Sequence, residues 1–181
     1  MPKSSKPKPK RFFRVFFICL ALMCVVALLT RLFVFEPVRV VNDGMSPTYR
    51  KGDVVFTSKI DQLTGWSVSR NDIVLAVFSS ANAKFLRRVA GMPGDVIEQN
   101  ADGRAYLLYA DNSGAQQRLA LGACPDLQAG TLPEDSYLLL CDRLSSGVNL
   151  DGRGLGLVHS TDIRAKAGAV IWPLDRMFRG N

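Results

Sequence analysis

At 181 residues the chain suits one domain large enough to bury a core, preceded by an appendage. A net charge of +7 invites a nucleic-acid partner, but seven of the 23 cations (Lys3, Lys6, Lys8, Lys10, Arg11, Arg14 and Arg31) precede residue 36, and the remaining 16 balance 16 acids. A formally neutral domain over 36–181 excludes a polyanion footprint, and one histidine with four scattered cysteines gives no ligand set for a metal. No cofactor motif is present.

In chain order, residues 1–14 are rich in Lys, Pro and Ser and are expected to be a disordered basic tail. Val15 to Thr30 carries no charge, Arg31 interrupts, and Leu32-Phe33-Val34-Phe35 resumes the apolar run. About 20 residues rising about 1.5 Å each span a hydrocarbon core of about 30 Å, so residues 15–35 are read as one transmembrane anchor. Arg31 can snorkel to the interface. A cleaved signal peptide would need small residues at its end, and Ala27-Leu28-Leu29-Thr30-Arg31 is a poor match. The positive flank should remain cytoplasmic and leave residues 36–181 on the outer side. Cys19 and Cys24 fall in the anchor, whereas Cys124 and Cys141 fall in the outer domain, where a disulfide between them could persist.

Beyond the anchor, Asn42-Asp43-Gly44-Met45-Ser46-Pro47-Thr48-Tyr49-Arg50-Lys51-Gly52-Asp53 combines a proline with two glycines. Pro47 biases Ser46 toward an extended backbone. Short β-favouring runs follow at Asp53–Thr57, Ile73–Phe78 and Phe85–Ala90, the last closed by the turn Gly91-Met92-Pro93-Gly94-Asp95. Ala105–Tyr109 and Gln116–Leu121 read as a hairpin around Asp111-Asn112-Ser113-Gly114, and Ser136–Cys141 and Ala169–Trp172 complete the set. The fold class is mainly β: one N-terminal transmembrane helix, then a barrel- or sandwich-like domain without a substantial soluble helix.

Three stretches carry a resemblance: Gly44-Met45-Ser46-Pro47-Thr48-Tyr49 with Gly52-Asp53; Arg87-Arg88-Val89-Ala90-Gly91-Met92-Pro93-Gly94-Asp95; and Asp142-Arg143 followed by Asp151-Gly152-Arg153-Gly154. With an anchor ahead of them, they resemble the type I signal peptidases, membrane-bound serine endopeptidases that cleave signal peptides with a Ser/Lys dyad. Arg70-Asn71-Asp72 is similar to that family's arginine–glycine–aspartate motif at the start of a strand, with Asn71 for the glycine. The resemblance implies a single-pass protein of the bacterial inner membrane with an extracytoplasmic domain. It assigns structural roles to Pro47, Asp53, Gly94, Asp95, Asp142 and the Asp151–Arg153 pair.

The resemblance also locates what has changed. The family's nucleophilic serine falls on Gly44, which has no side chain, and its general-base lysine falls on Arg87, which stays protonated at neutral pH. The oxyanion-supporting hydroxyl falls on Asn42, beside Met45 in the expected cleft, while Gly152 and Asn149 stand where serines are usual. A serine hydroxyl needs a base within hydrogen-bond reach, and a lysine serves only if burial lowers its pKa. The expectation is therefore a non-catalytic module binding extended segments of exported or pilin-like precursors. Arg87 would then face a carboxylate or carbonyl. The alternatives are an active peptidase with a displaced Ser46/Lys84 dyad, and an accessory subunit of an active signal peptidase. Lys84, three residues before Arg87 in a strand, should point to the opposite face. His159 reads as a surface side chain.

Overall fold

The computed structural model describes residues 9–33, 35–59, 68–111, 113–124, 127–143 and 150–177. Tail residues 1–8, Asn112, Asn149 and the side chain of Arg31 lie outside the described residues. Helix α1 runs Pro9–Phe33, and its window Arg11–Leu28 has a mean hydropathy of 2.3 with none of it buried. By length and composition it can cross a membrane. Its start precedes the expected anchor start at Val15: the tail's last residues join the helix, for Pro at the first turn costs no hydrogen bond and Lys and Arg are good helix formers.

Chain direction then changes at once. Strand β1 (Phe35–Arg39) pairs antiparallel with β2 (Val54–Ser58), from Phe35 opposite Ser58 to Arg39 opposite Val54. Phe35 therefore belongs to the sheet rather than to the anchor. Pro37 sits in β1 because β1 is an edge strand, where a missing N–H breaks no ladder. The Asn42–Asp53 stretch is the β1–β2 connection, closed by Val40 N–H to Asp53 O (2.8 Å) and Gly52 N–H to Val40 O (2.9 Å). Gly52 has φ +95°, a conformation that favours glycine.

The larger sheet has seven strands in the order β1-β2-β11-β3-β4-β9-β10. In it β3 is Ile73–Phe78, β4 Ala83–Gly91, β9 Ser136–Leu140, β10 Val158–His159 and β11 Ile163–Trp172. The smaller sheet, ordered β7-β6-β5-β8, contains β5 (Val96–Gln99), β6 (Arg104–Ala110), β7 (Gln116–Ala123) and β8 (Gly130–Thr131). Two short helical segments, α2 (Gly152–Leu155) and α3 (Leu174–Met177), lie late in the chain. The architecture is mainly β, as the strand pattern implied. β5, β8 and β10 escaped that pattern because runs of two to four residues give no periodicity to read.

The two sheets share apolar packing. Ile97, Ala105, Leu107, Leu121, Cys124 and Leu132 form the core of the smaller sheet, and Leu138 of β9 joins them from the larger one. Val40, Met45, Tyr49, Val55, Ile73, Leu75, Leu86 and Ala165 form the one beneath the β1–β2 connection. Strand β4 lies inside the larger sheet, between β3 and β9: it pairs with β3 from Ala83 to Arg88, and with β9 only from Arg88 onward.

Candidate functional site

The β1–β2 connection owes its shape to two side chains anchored in the core. Met45 is fully buried and Tyr49 nearly so, and Tyr49 N–H donates to Met45 O (2.8 Å), which makes the segment between them a tight turn. Tyr49 Oη donates to Gly168 O at 2.6 Å. Ser46 donates its N–H to Asp43 O (3.0 Å), which closes a turn over Asp43–Ser46 just ahead of Pro47. Met45 lines the narrow cleft between Val38–Asn42 and Lys84–Leu86 from beneath, with its bulk in the core.

β4 brings Arg87 to this turn. Arg87 is only 1% exposed, the largest of the fully buried side chains. Its guanidinium donates from Nε (2.9 Å) and Nη2 (2.7 Å) to Leu150 O, and from Nη1 to Leu86 O (2.6 Å). It also sits over the Phe85 ring, 4.8 Å from the centroid. Burial pushes its pKa down, opposed by Cys141 and Asp151 nearby, but an arginine starts far too high to become a base. Its partners are carbonyls of its own chain.

A Cβ placed on Gly44 would lie 3.6 Å from Arg87 Nη1. The same Cβ would lie 3.2 Å from Asn42 Oδ1 and 3.2 Å from Cys141 Sγ. Residues 42 and 44 therefore meet residue 87, distant in sequence, at one point. Asn42 Oδ1 accepts the Gly44 N–H (3.2 Å), so that amide is engaged and no hydroxyl stands beside it. Cys141 completes the group.

The sequence left a Cys124–Cys141 disulfide open, and the structure separates the two thiols. Both thiols are free. Cys124 is buried in the core of the smaller sheet, its Sγ 3.6 Å from Leu121 O, whereas Cys141 leaves the end of β9 and faces Gly44. Its adjacency to Asp142 was the available signal, because β9 delivers both to the site. Burial pushes the Cys141 thiol up to about 11, only partly countered by Arg87. It is a neutral thiol at physiological pH. Alkylation of Cys141 by iodoacetamide should therefore rise with pH toward a midpoint near 11, followed by peptide mass spectrometry. A midpoint at or below that of an ordinary thiol would contradict this environment.

Neither member of the displaced pair joins this cluster. Lys84 is exposed and, by strand alternation, shares the face of Leu86 and Arg88 rather than that of Arg87. Ser46 is held in the turn. His159 is exposed, its Nδ1 accepting the Thr161 N–H at 3.3 Å where it caps a short 3-10 turn.

Ion pairs lock the surroundings. Arg70 Nη2 donates to both carboxylate oxygens of Asp95 (2.9 and 2.8 Å), and Arg88 clasps Asp142 through Nε (2.7 Å) and Nη2 (2.8 Å). Thr48 Oγ1 donates to Asp142 Oδ2 (3.0 Å), which ties the first stretch to the third. Asp151 is fully buried: it accepts from Cys141 N–H (2.9 Å), Arg153 N–H (3.0 Å) and Arg153 Nη1 (2.9 Å). The Arg87 fork on Leu150 O thus holds the residue immediately before it. Gly94 (φ +88°) allows the Met92 N–H to reach Asp95 Oδ2 (2.7 Å), and Asn71, where the resembled motif has glycine, adopts φ +70°. A Cβ on Gly152 would come within 2.6 Å of Leu138 Cδ1 and 2.9 Å of Leu139 O, so a serine there would collide.

Beside the cluster, among the described strands, Ala83–Arg87 are flanked by β3 alone. A cavity of about 250 Å³ opens on the other side of Cys141, walled by Arg70, Arg88, Tyr109, Leu140, Asp142 and Arg153.

An apolar N-terminal helix followed by this two-sheet domain gives the chain a signal-peptidase-like fold. The family model "Signal peptidase, peptidase S26" matches residues 11–172, and the chain belongs to that family. It is 28% identical over 163 residues to signal peptidase I P of Bacillus subtilis subsp. natto, covering 84% of this chain and 85% of the relative. It is 28% identical over 206 residues to signal peptidase I of Streptococcus pneumoniae serotype 4, covering 93% and 97%. A solved signal peptidase I from Enterococcus faecalis V583 aligns over 55% of this chain and 96% of its own, with 24% identity and a TM-score of 0.39.

Proposed function

We propose that this chain is a non-catalytic family member that holds extended segments of exported or pilin-like precursors at a membrane surface. One observation carries the reading: Gly44 and Arg87 lie against each other, yet supply neither a nucleophile nor a base. Acyl transfer would need a hydroxyl or thiolate, a proton acceptor beside it and free donors for the oxyanion. At this point the side chain is absent, the cation is permanent and the Gly44 amide is bound to Asn42. Binding needs none of these. The Ala83–Arg87 side of β4 offers backbone groups for strand addition, with the Val38–Asn42 segment as the facing wall. In this reading the N-terminus is cytoplasmic and the domain faces outward from a bacterial inner membrane.

The test is cleavage of a signal-peptide substrate by the full chain in detergent, run beside Ser46→Ala and beside binding of the same peptide. Binding without turnover is expected, with no labelling by a serine-acylating inhibitor. Turnover by the wild type that disappears in Ser46→Ala would overturn the reading. Co-purification with an active signal peptidase would make the chain its accessory subunit.

A further inference from the structure

The site turn is held from a second direction by a residue beyond those the family model matches. Arg176 lies in α3, four residues past the end of the matched segment 11–172. Its Nη1 pairs with Asp53 Oδ2, and its Nη2 donates to Pro47 O and Thr48 O, each at 3.2 Å. The pair is well shielded, with 17% of the Arg176 side chain and 4% of the Asp53 side chain exposed. Asp53 Oδ2 also accepts the Arg50 N–H (2.8 Å), and Asp53 O accepts the Val40 N–H that closes the β1–β2 connection. One guanidinium therefore touches both the middle and the end of the segment that carries Asn42, Gly44 and Met45. The opposite side of the turn is held by Thr48 Oγ1 on Asp142.

We propose that Arg176 is the positioning residue of the binding site. From the C-terminal segment it clasps the Pro47–Asp53 backbone and so fixes the Asn42–Met45 wall against β4. The proposal rests on the binding reading above. A guanidinium suits the task, since it has a planar set of donors that can serve a carboxylate and two carbonyls at once, whereas a lysine ammonium is a single point donor.

Two roles are possible for such a residue, and a pair of substitutions separates them. Arg176→Ala removes the clasp but strands the buried Asp53 carboxylate, which by itself can unfold the turn. Arg176→Ala/Asp53→Asn removes the clasp without stranding a charge. The full chain in detergent is measured by thermal melting, by hydrogen exchange of residues 45–53, and by affinity for a fluorescent peptide spanning a signal-peptide cleavage region. For the double variant a melt close to wild type is expected, with exchange of 45–53 faster by about tenfold or more while β6–β7 is unchanged. Its peptide affinity should fall by about tenfold, and Arg176→Lys should recover only part of it. Wild-type affinity together with wild-type exchange in the double variant would overturn the proposal, because Arg176 would then serve only to neutralise Asp53. Should the wild type bind no peptide, the binding reading fails while the exchange of 45–53 still decides whether Arg176 fixes the turn.

Discussion

Arg87→Ala should lower the melting temperature by about 10 °C, more than any surface substitution in the β domain. Three donated hydrogen bonds disappear, and Leu150 O and Leu86 O lose their partner. A buried polar group left unsatisfied costs about 1–3 kcal/mol, and truncating a large buried side chain adds a cavity, so about 3–5 kcal/mol is expected in all. Relief of burying a charge works in the other direction, and the neighbouring carboxylate of Asp151 limits that relief. For a chain of this size each kcal/mol moves the melt by about 2–4 °C. Arg87→Met keeps much of the volume and loses only the donors, so it should fall between wild type and Arg87→Ala. Thermal melts by circular dichroism in detergent check both. If Arg87→Met melts with the wild type, the fork on Leu150 contributes nothing and the residue is a space filler.

The second large effect concerns activity. Gly44→Ser/Arg87→Lys restores the family's nucleophile and base by name, and it should still cleave signal-peptide substrate only barely above background. A Cβ at residue 44 meets Cys141 Sγ and Asn42 Oδ1 at 3.2 Å, closer than ordinary van der Waals contact, so a serine there is crowded by both. The amide of residue 44 also remains bound to Asn42. Adding Asn42→Ser and Cys141→Ala clears both neighbours, frees the amide and supplies a hydroxyl at the position where the family resemblance places one. Oxyanion donors and a positioned base each contribute about 10²–10³-fold, so the quadruple variant should exceed the double by about 10²-fold or more. Equal turnover by the double and quadruple variants would show that Cys141 and Asn42 are bystanders. The comparison distinguishes a site that merely lost two groups from one that has repacked around their loss.

Much of this was legible in the chain alone. The apolar run with its basic flank gave the long N-terminal helix that by length and composition can cross a membrane, because both are local properties of the chain. The turn at Gly91–Asp95 was readable because it needs a residue at positive φ, and Gly94 supplies it. The hairpin of β6 and β7 was readable from two apolar runs around one polar turn, and its strands pair as expected. Helix α1 begins at Pro9, ahead of the apolar run at Val15, since charge at a helix end does not stop a helix. The Cys124–Cys141 pairing failed because compartment and number say nothing about which sheet each thiol faces.

What the sequence by itself determined was identity at fixed positions: glycine at 44 and arginine at 87 leave no nucleophile and no base there, whatever the fold. What only the tertiary structure decided was company. Strand register in β4 and β9, and the turn pinned by Met45 and Tyr49, set which groups stand beside Gly44. They put the Cys141 thiol and the Asn42 carboxamide against it, gave Arg87 two backbone carbonyls instead of a carboxylate, and returned Arg176 from the far end of the chain to Asp53. Apart from the local Asn42–Gly44 and Arg87–Leu86 contacts, these join residues 63 to 123 positions apart, so they depend on the packing of whole strands and leave no periodic trace in the chain.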